Sequence, residues 1–290
     1  QTVQIGTQIN NPVTLVLTPA REFGEGTPAP SLPAEPHGYI PQLIAPKYIP
    51  RGIEAQVKER LLSGNGVAAI VGVHAPGGVG KSELAKVVAN ELKGRFAETF
   101  WVDLNDKTPE QVAGDFALKV GLSFTPNADY PRRVLELQGH LAGRRWLIVL
   151  DDARKDNLPF LSDFALPPPC GMIVTSRIQQ VSGRIPADAV FPLKTMTAEQ
   201  ARALLEATLG AEKVKAESEA AERLLKRCAF NPLALDIAAR RIRQMEGQSH
   251  PLAAFAAKLQ SRLDELKVGD DERLNLWAVF DLSYDDLSPA

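Results

Sequence analysis

Seven consecutive residues from Val67 to Val73 carry no polar side chain, the pattern of a strand buried on both faces of a parallel sheet. Thr99–Asp103 (TFWVD), Trp146–Leu150 (WLIVL) and Met172–Thr175 (MIVT) read the same way, and Ala189–Leu193 more weakly. Helical patterns separate these runs, among them Glu83–Leu92, so the stretch predicts a doubly wound α/β domain with a parallel sheet. Ile53–Leu62 predicts a short helix ahead of the first strand. Thr108 is placed to cap a helix with Pro109 in its first turn. After Pro192 the strands stop. Thr197–Gln200 is a T-x-x-Q capping box, and Ala201, Leu204, Leu205 and Leu209 share one face before Gly210 ends the helix. Further helices are predicted at about 217–229, 232–246 and 251–266, forming a separate bundle, and 272–287 starts another unit.

The N-terminal pattern differs. Residues 1–20 alternate apolar and polar at Val3, Ile5, Thr7 and Ile9, which favours a short strand or hairpin that Pro12 would interrupt. Seven prolines from Pro28 to Pro50 mark an extended linker with no core of its own.

Composition narrows the function. A chain of 290 residues has room for about two domains, and its 44% hydrophobic content suffices for a sizeable core. The formal net charge is −2, so no global basic field draws it to nucleic acid or acidic lipid. Arg240, Arg241 and Arg243 form the densest basic cluster, near the end of a predicted helix where cations complement the dipole. Cys170 and Cys228 lie far apart without metal-ligand spacing, and the four histidines are scattered, so a reduced cytoplasmic compartment without a zinc site is expected. No apolar run reaches the ~18 residues of a membrane span, and no signal peptide is visible.

The candidate chemistry sits where the first strand ends. Gly77, Gly78 and Gly80 allow the backbone around Val79 to curl with its N–H groups inward. The helix that follows, from Lys81, Ser82 and Glu83, adds partial positive charge, and together they make a polyphosphate site. Lys81 would reach β- and γ-phosphates, and the Ser82 hydroxyl would ligate Mg²⁺. The strict pattern G-x-x-x-x-G-K-S/T has glycine at 75, where this chain has Ala75; a small side chain fits there if φ stays negative. Asp151 and Asp152 follow the third strand, at the end of a parallel sheet where ligands bind. Asp151 is placed to hold Mg²⁺, through water, and Asp152 to polarise an attacking water. Arg177, directly after the fourth strand, is placed to contact a γ-phosphate. Pro232 is by itself a proline in a helix's first turn.

In order, the chain gives YIPRG, APGGVGKSELA, FWVDL, LIVLDDA, MIVTSR, NPLAL and FDLSYDDL. This series resembles the NB-ARC nucleotide-binding module of the STAND signal-transduction ATPases. That NLR-like group includes plant disease-resistance proteins, animal apoptotic activating factors and many bacterial regulators. The likeness spans about 48–287 and points to a bacterial member. It implies an α/β P-loop NTPase sheet of the ASCE type, a helical ARC1-like subdomain and the start of a winged-helix subdomain. The chain then divides into 1–47, 48–194, 195–268 and 269–290. The resemblance assigns Ile49 and Arg51 to adenine and ribose, and Gly77, Gly78, Val79, Gly80, Lys81, Ser82 and Glu83 to the phosphates. It assigns Ser82 and Asp151 to Mg²⁺; Lys81, Asp151, Asp152 and Arg177 to slow ATP hydrolysis; and Pro232 with Leu233 to packing on adenine. Asn231 stands where a glycine or similar residue often precedes that proline.

The resemblance further implies a switch. ADP locks the module, exchange for ATP opens it, the open form self-associates into a ring-like oligomer that activates an effector, and hydrolysis resets it. The chain opens on Gln1 and stops at Ala290, and is read as an excised segment. The histidine-bearing motif of the winged helix and the effector and sensor domains are expected beyond it. Two other functions compete: a non-hydrolysing scaffold that nucleotide stabilises, and a nucleotide-controlled DNA-linked regulator, which the net charge does not support. The segment VQIGTQINN loosely resembles the Gln/Asn-rich signalling segments of bacterial relatives, with an edge strand or disordered tail as the alternative.

Overall fold

The computed structural model describes residues 3–5, 13–15, 38–42, 48–63, 66–72, 77–177, 181, 184–245, 247–265, 278–279 and 281–282. Ala75, most of the proline-rich linker and nearly all of 266–290 lie outside them, as do the expectations placed there. The chain forms two compact units, Gln1–Glu35 and Pro36–Ala290. In the first, β1 (Val3–Ile5) pairs antiparallel with β2 (Val13–Leu15), Gln4 opposite Thr14.

The second unit begins its regular structure with α1 (Glu54–Leu62), β3 (Val67–Gly72), α2 (Lys81–Glu91), β4 (Glu98–Asp103), α3 (Pro109–Lys119) and α4 (Tyr130–Leu141). There follow β5 (Trp146–Ala153), α5 (Leu158–Asp163), β6 (Gly171–Ser176) and β7 (Val190–Leu193). Five helices complete it: α6 (Ala198–Leu209), α7 (Ala211–Ala216), α8 (Ser218–Arg227), α9 (Pro232–Gln244) and α10 (Pro251–Glu265). The strands from β3 onward form one parallel sheet in the order β4–β5–β6–β3–β7. β6 thus separates β3 from β5, the additional-strand arrangement expected of an ASCE-type sheet.

Alternation of side chains explains why these strands carry almost no polar residue. Val71, Phe100, Val102, Ile148, Leu150 and Val174 face a cluster with Phe116, Leu137 and Phe160 from α3, α4 and α5. Ile70, Trp101, Leu147, Val149 and Ile173 face the opposite cluster, with Val57, Leu84 and Val88 from α1 and α2. Both faces are covered, so both sets of positions are apolar. A third cluster joins α6 to α10 through residues such as Leu205, Leu224, Leu235 and Leu259, and Ile49 packs on it from outside.

Two boundaries differ from the sequence pattern. β5 does not stop at Leu150 but continues through both aspartates, because Asp151 still pairs with Asp103 and Ala153 with Ser176. Helix α2 begins at Lys81, two residues earlier than the apolar periodicity suggests, since Gly80 in the left-handed region turns the chain directly into it. Residues 38–42 are extended, as the linker composition suggests, but they are also fastened down. Tyr39 bridges Phe100 in parallel, the Gly38 N–H donates to the Glu98 carboxylate at 2.8 Å, and Lys86 donates to the Gln42 carbonyl at 3.0 Å. The strap covers the β4 edge, which would otherwise be open to pairing.

Candidate nucleotide-binding site

The carboxyl ends of β3, β5 and β6 lie side by side and open into a cleft of about 350 Å³, within the range of small-ligand sites. One end is polar: Gly78, Gly80, Lys81, Ser82, Glu83, Asn105, Asp151, Asp152, Thr175 and Arg177. The other is mostly apolar: Tyr48, Ile49, Met196, Leu204, Pro232 and Leu233, with Arg51 and Asp236 also on the lining.

At the polar end, Gly80 (φ +98°) caps α2, so the first turn of that helix presents backbone N–H groups without intrahelical partners. Lys81 is 9% exposed, and its ammonium makes no hydrogen bond or ion pair among the described residues. Burial lowers its pKa, and Arg177 nearby lowers it further, while Asp152 and Asp151 act in the opposite direction. A buried cation beside free helix amides fits an anionic group such as a polyphosphate.

Asp151 Oδ1 accepts from the Ser82 hydroxyl at 2.8 Å and from the Thr175 hydroxyl. Burial pushes its carboxyl pKa up, while these two hydrogen bonds pull it back and Asp103 and Asp152 add to the rise. The two oxygens the resemblance gives to magnesium are therefore adjacent. Among the described residues no group of three or more His, Cys, Asp or Glu side chains forms a metal site. One carboxylate, one hydroxyl and a nucleotide's own oxygens suit Mg²⁺, which rarely occupies an all-protein cage.

Asp152 sits at an irregularity in the β5–β6 register, with φ +60°, an uncommon conformation for a non-glycine residue. The two neighbouring carboxylates take different partners. Asp152 Oδ2 accepts from Arg154 Nε at 2.9 Å and Nη2 at 2.7 Å, and Arg177 Nε lies 3.4 Å from Oδ1. Arg154 also pairs with Asp106. The water-polarising role expected of Asp152 thus falls to a carboxylate already held by two guanidinium groups. Arg177 is more than half exposed and packs beside Gly77.

Helix α9 closes the cleft. A Cβ built on Gly78 would lie 2.6 Å from Leu233 Cβ, and φ at Gly78 is +87°, so this position requires glycine twice over. Asn231, 1% exposed, accepts from the Leu233 and Ala234 N–H groups at 3.0 and 3.3 Å and donates to the Gly77 carbonyl at 3.1 Å. The departure from glycine here therefore supplies both a helix cap and a link to the phosphate loop. Asn231→Ala is expected to cost about 2 kcal/mol in urea unfolding, combining a lost cap with an unpaired buried carbonyl.

Arg51 holds the opposite wall. Its guanidinium donates to the Val79 carbonyl at 2.7 Å and to the Lys194 carbonyl at 2.5 Å, while Gln200 donates to the Pro50 carbonyl at 2.8 Å. Glu54 accepts from Tyr48 Oη and from the Arg51 N–H, both at 2.5 Å. Arg51 borders the cleft, and two of its five guanidinium N–H groups are taken by backbone carbonyls.

The site residues expected from sequence converge here, except two. The Val79 side chain is wholly buried in the core, and Gly77 does not line the cleft. Sequence reading missed Tyr48, Asn105, Thr175, Met196, Leu204 and Asp236. Thr175 was recoverable from parallel register beside β5, Asp236 from its place one turn after Pro232, and Tyr48 as the first residue of YIPRG; the others carry no local signal.

A family model described as NB-ARC domain matches residues 52–215, more than half of the chain. The chain belongs to the NB-ARC family. As an NB-ARC module it is a nucleotide-binding P-loop unit of the kind found in regulators and NLR proteins. It is 35% identical over 246 residues to the regulatory protein AfsR of Streptomyces griseus, covering 81% of this chain and 24% of that protein. It is 31% identical over 147 residues to the disease resistance RPP13-like protein 4 of Arabidopsis thaliana, covering 47% of this chain and 17% of that one. The NB-ARC chain thus spans about a quarter or less of these relatives. A Walker-type ATPase of Pyrococcus abyssi superposes with a TM-score of 0.48 at 13% identity, over 76% of each chain. Among the described residues no helix is long and apolar enough to cross a membrane.

Proposed function

We propose that this NB-ARC module is an adenine-nucleotide switch, closed with ADP and opened by exchange for ATP. In the open form it self-associates and acts on effector and sensor domains of a longer protein, and slow hydrolysis returns it to the closed form. The observation that carries the reading is the contact of Gly78 and Gly77 with Leu233 and Asn231 at the cleft. A ligand on the loop touches the sheet and the α6–α10 helices at once. It can therefore favour one arrangement over another, which is what a ligand must do to switch a protein.

The side chains have separable tasks. Lys81 and the α2 amides hold the phosphates, Ile49, Pro232 and Leu233 flank the base, and Ser82 and Asp151 hold magnesium. Magnesium would supply charge neutralisation on the phosphates and polarise the transferred group. Arg177 is placed to compare ATP with ADP by leaving Asp152 for a terminal phosphate, and Asp152, once released, orients the attacking water.

A nucleotide that serves only as structural glue is the second reading, favoured by the grip of Arg154 on Asp152. Titration with labelled nucleotide combined with phosphate release separates the two. The switch predicts slow release above buffer, lost in Asp152→Asn while binding persists. Release equal to buffer, or unchanged in that variant, leaves only the glue.

A further inference from the structure

The Asp152 carboxylate is held differently on its two oxygens. Arg154 donates to Oδ2 twice, from Nε at 2.9 Å and from Nη2 at 2.7 Å. A carboxylate oxygen offers about two acceptor positions, so Oδ2 is full. Oδ1 has Arg177 Nε at 3.4 Å, an ion pair longer than an ordinary hydrogen bond. Asp152 and Arg177 line the cleft, whereas Arg154 and its second partner, Asp106, do not. One oxygen is therefore tied from outside the cleft, and the other lies beside a cleft residue.

Arg154 is itself fixed. Its Nη1 pairs with Asp106, and its backbone N–H donates to Asn157 Oδ1 at 2.8 Å. Asn157 is fully buried and donates in turn to the Asn105 carbonyl at 2.9 Å. The turns that follow β4 and β5 are thus joined next to Asp152. With φ at +60°, Asp152 has a conformation that a non-glycine residue keeps only where its surroundings hold it.

This inference rests on the hydrolysis proposed above. There Arg177 leaves Asp152 for a terminal phosphate, which frees Oδ1 and not Oδ2. The grip that would silence Asp152 in the glue reading then has another effect. It fixes the orientation of the carboxylate and leaves Oδ1 to accept from water.

We propose that Arg154 is a positioning residue for hydrolysis: by filling Oδ2 it fixes Asp152 so that Oδ1 receives the hydrogen bond of the attacking water. In that step the water oxygen bonds to the γ-phosphorus while the bond from phosphorus to the β–γ bridging oxygen breaks, its electron pair staying with ADP. The products are ADP, inorganic phosphate and a proton, and both side chains are unchanged. Loss of such orientation slows the chemical step without weakening the bound ligand.

Steady-state phosphate release from ATP by the 290-residue chain, beside calorimetry with ADP and thermal unfolding, tests this in Arg154→Met and Arg154→Gln. Both variants keep the side-chain stem and lose the guanidinium. Each should show kcat lowered at least about tenfold, while KM for ATP and affinity for ADP stay within about twofold of the parent.

An unchanged kcat would overturn the proposal. A raised kcat would also overturn it, since Arg154 would then restrain Asp152. Ligand affinity worsening in proportion to kcat, or failure of both variants to fold, would make Arg154 a structural residue and overturn it as well. If release by the parent is lost in Asp152→Asn but is indifferent to Arg154, only this inference falls. If the parent releases phosphate no faster than buffer, the hydrolysis reading falls and takes the inference with it.

Discussion

Lys81→Ala is expected to weaken ADP and ATP binding by about a hundredfold to a thousandfold, roughly 3–4 kcal/mol, with no loss of stability in the ligand-free protein. The Lys81 ammonium is buried, has no partner among the described residues, and has its pKa lowered first by desolvation. In the free protein such a charge is a burden, so removing it should leave the melting temperature equal or slightly higher. With phosphate present the same ammonium makes charge-assisted hydrogen bonds in a poorly solvated cleft. The stabilisation that saturating ADP gives the parent chain should therefore vanish in the variant. Thermal unfolding with and without ADP, beside calorimetry, measures both effects. A lower melting temperature in the free variant with unaltered affinity would mean that Lys81 is a packing residue.

Gly78→Ala should be the most damaging change to the fold around the cleft. The new Cβ would stand 2.6 Å from Leu233 Cβ, 2.8 Å from Leu233 Cδ2 and 3.2 Å from Asn231 Oδ1, on a backbone at φ +87°. Backbone strain alone accounts for about 1–2 kcal/mol, and overpacking against a helix start adds about 1–3. Gly94→Ala is the control: φ there is +82°, yet a Cβ would meet nothing within 4 Å. Denaturant unfolding should place Gly78→Ala at least about 1 kcal/mol below Gly94→Ala, and only the former should lose nucleotide affinity. Equal destabilisation would show that α9 moves aside freely and that the loop and the helix cluster are not tightly joined.

Much of this was legible in the chain itself. The parallel sheet announces itself because strands covered on both faces must be apolar at every position, as Val67–Gly72 is. The Thr108 cap with Pro109 behind it and the capping box at Thr197–Gln200 marked two helix starts through chemistry local to a few residues, and at Thr108 the structure adds Gln111 to complete a second box. The continuation of β5 through Asp151 and Asp152 was not legible, because the strand is carried on there by the register of Asp151 with Asp103 and of Ala153 with Ser176, and not by apolar side chains.

The same distinction divides the site. Glycines and Lys81 are readable since the phosphate loop is contiguous. The ties that shape the cleft are long-range: Arg51 to Lys194, Asn231 to Gly77 and Ser82 to Asp151 each join segments far apart in sequence. Arg154 was invisible for a different reason. A charged residue after a strand looks like a solvated one until its partners, Asp152 and Asp106, are placed beside it.

The central claim is that the loop 77–82 and the start of α9 together enclose an adenine nucleotide. A crystal structure of this chain with ADP and magnesium addresses it most directly. The account predicts the diphosphate against Lys81 and the backbone of 78–82, with adenine between Ile49 and Pro232. ADP bound elsewhere, or a cleft without ADP at saturating concentration, would contradict it.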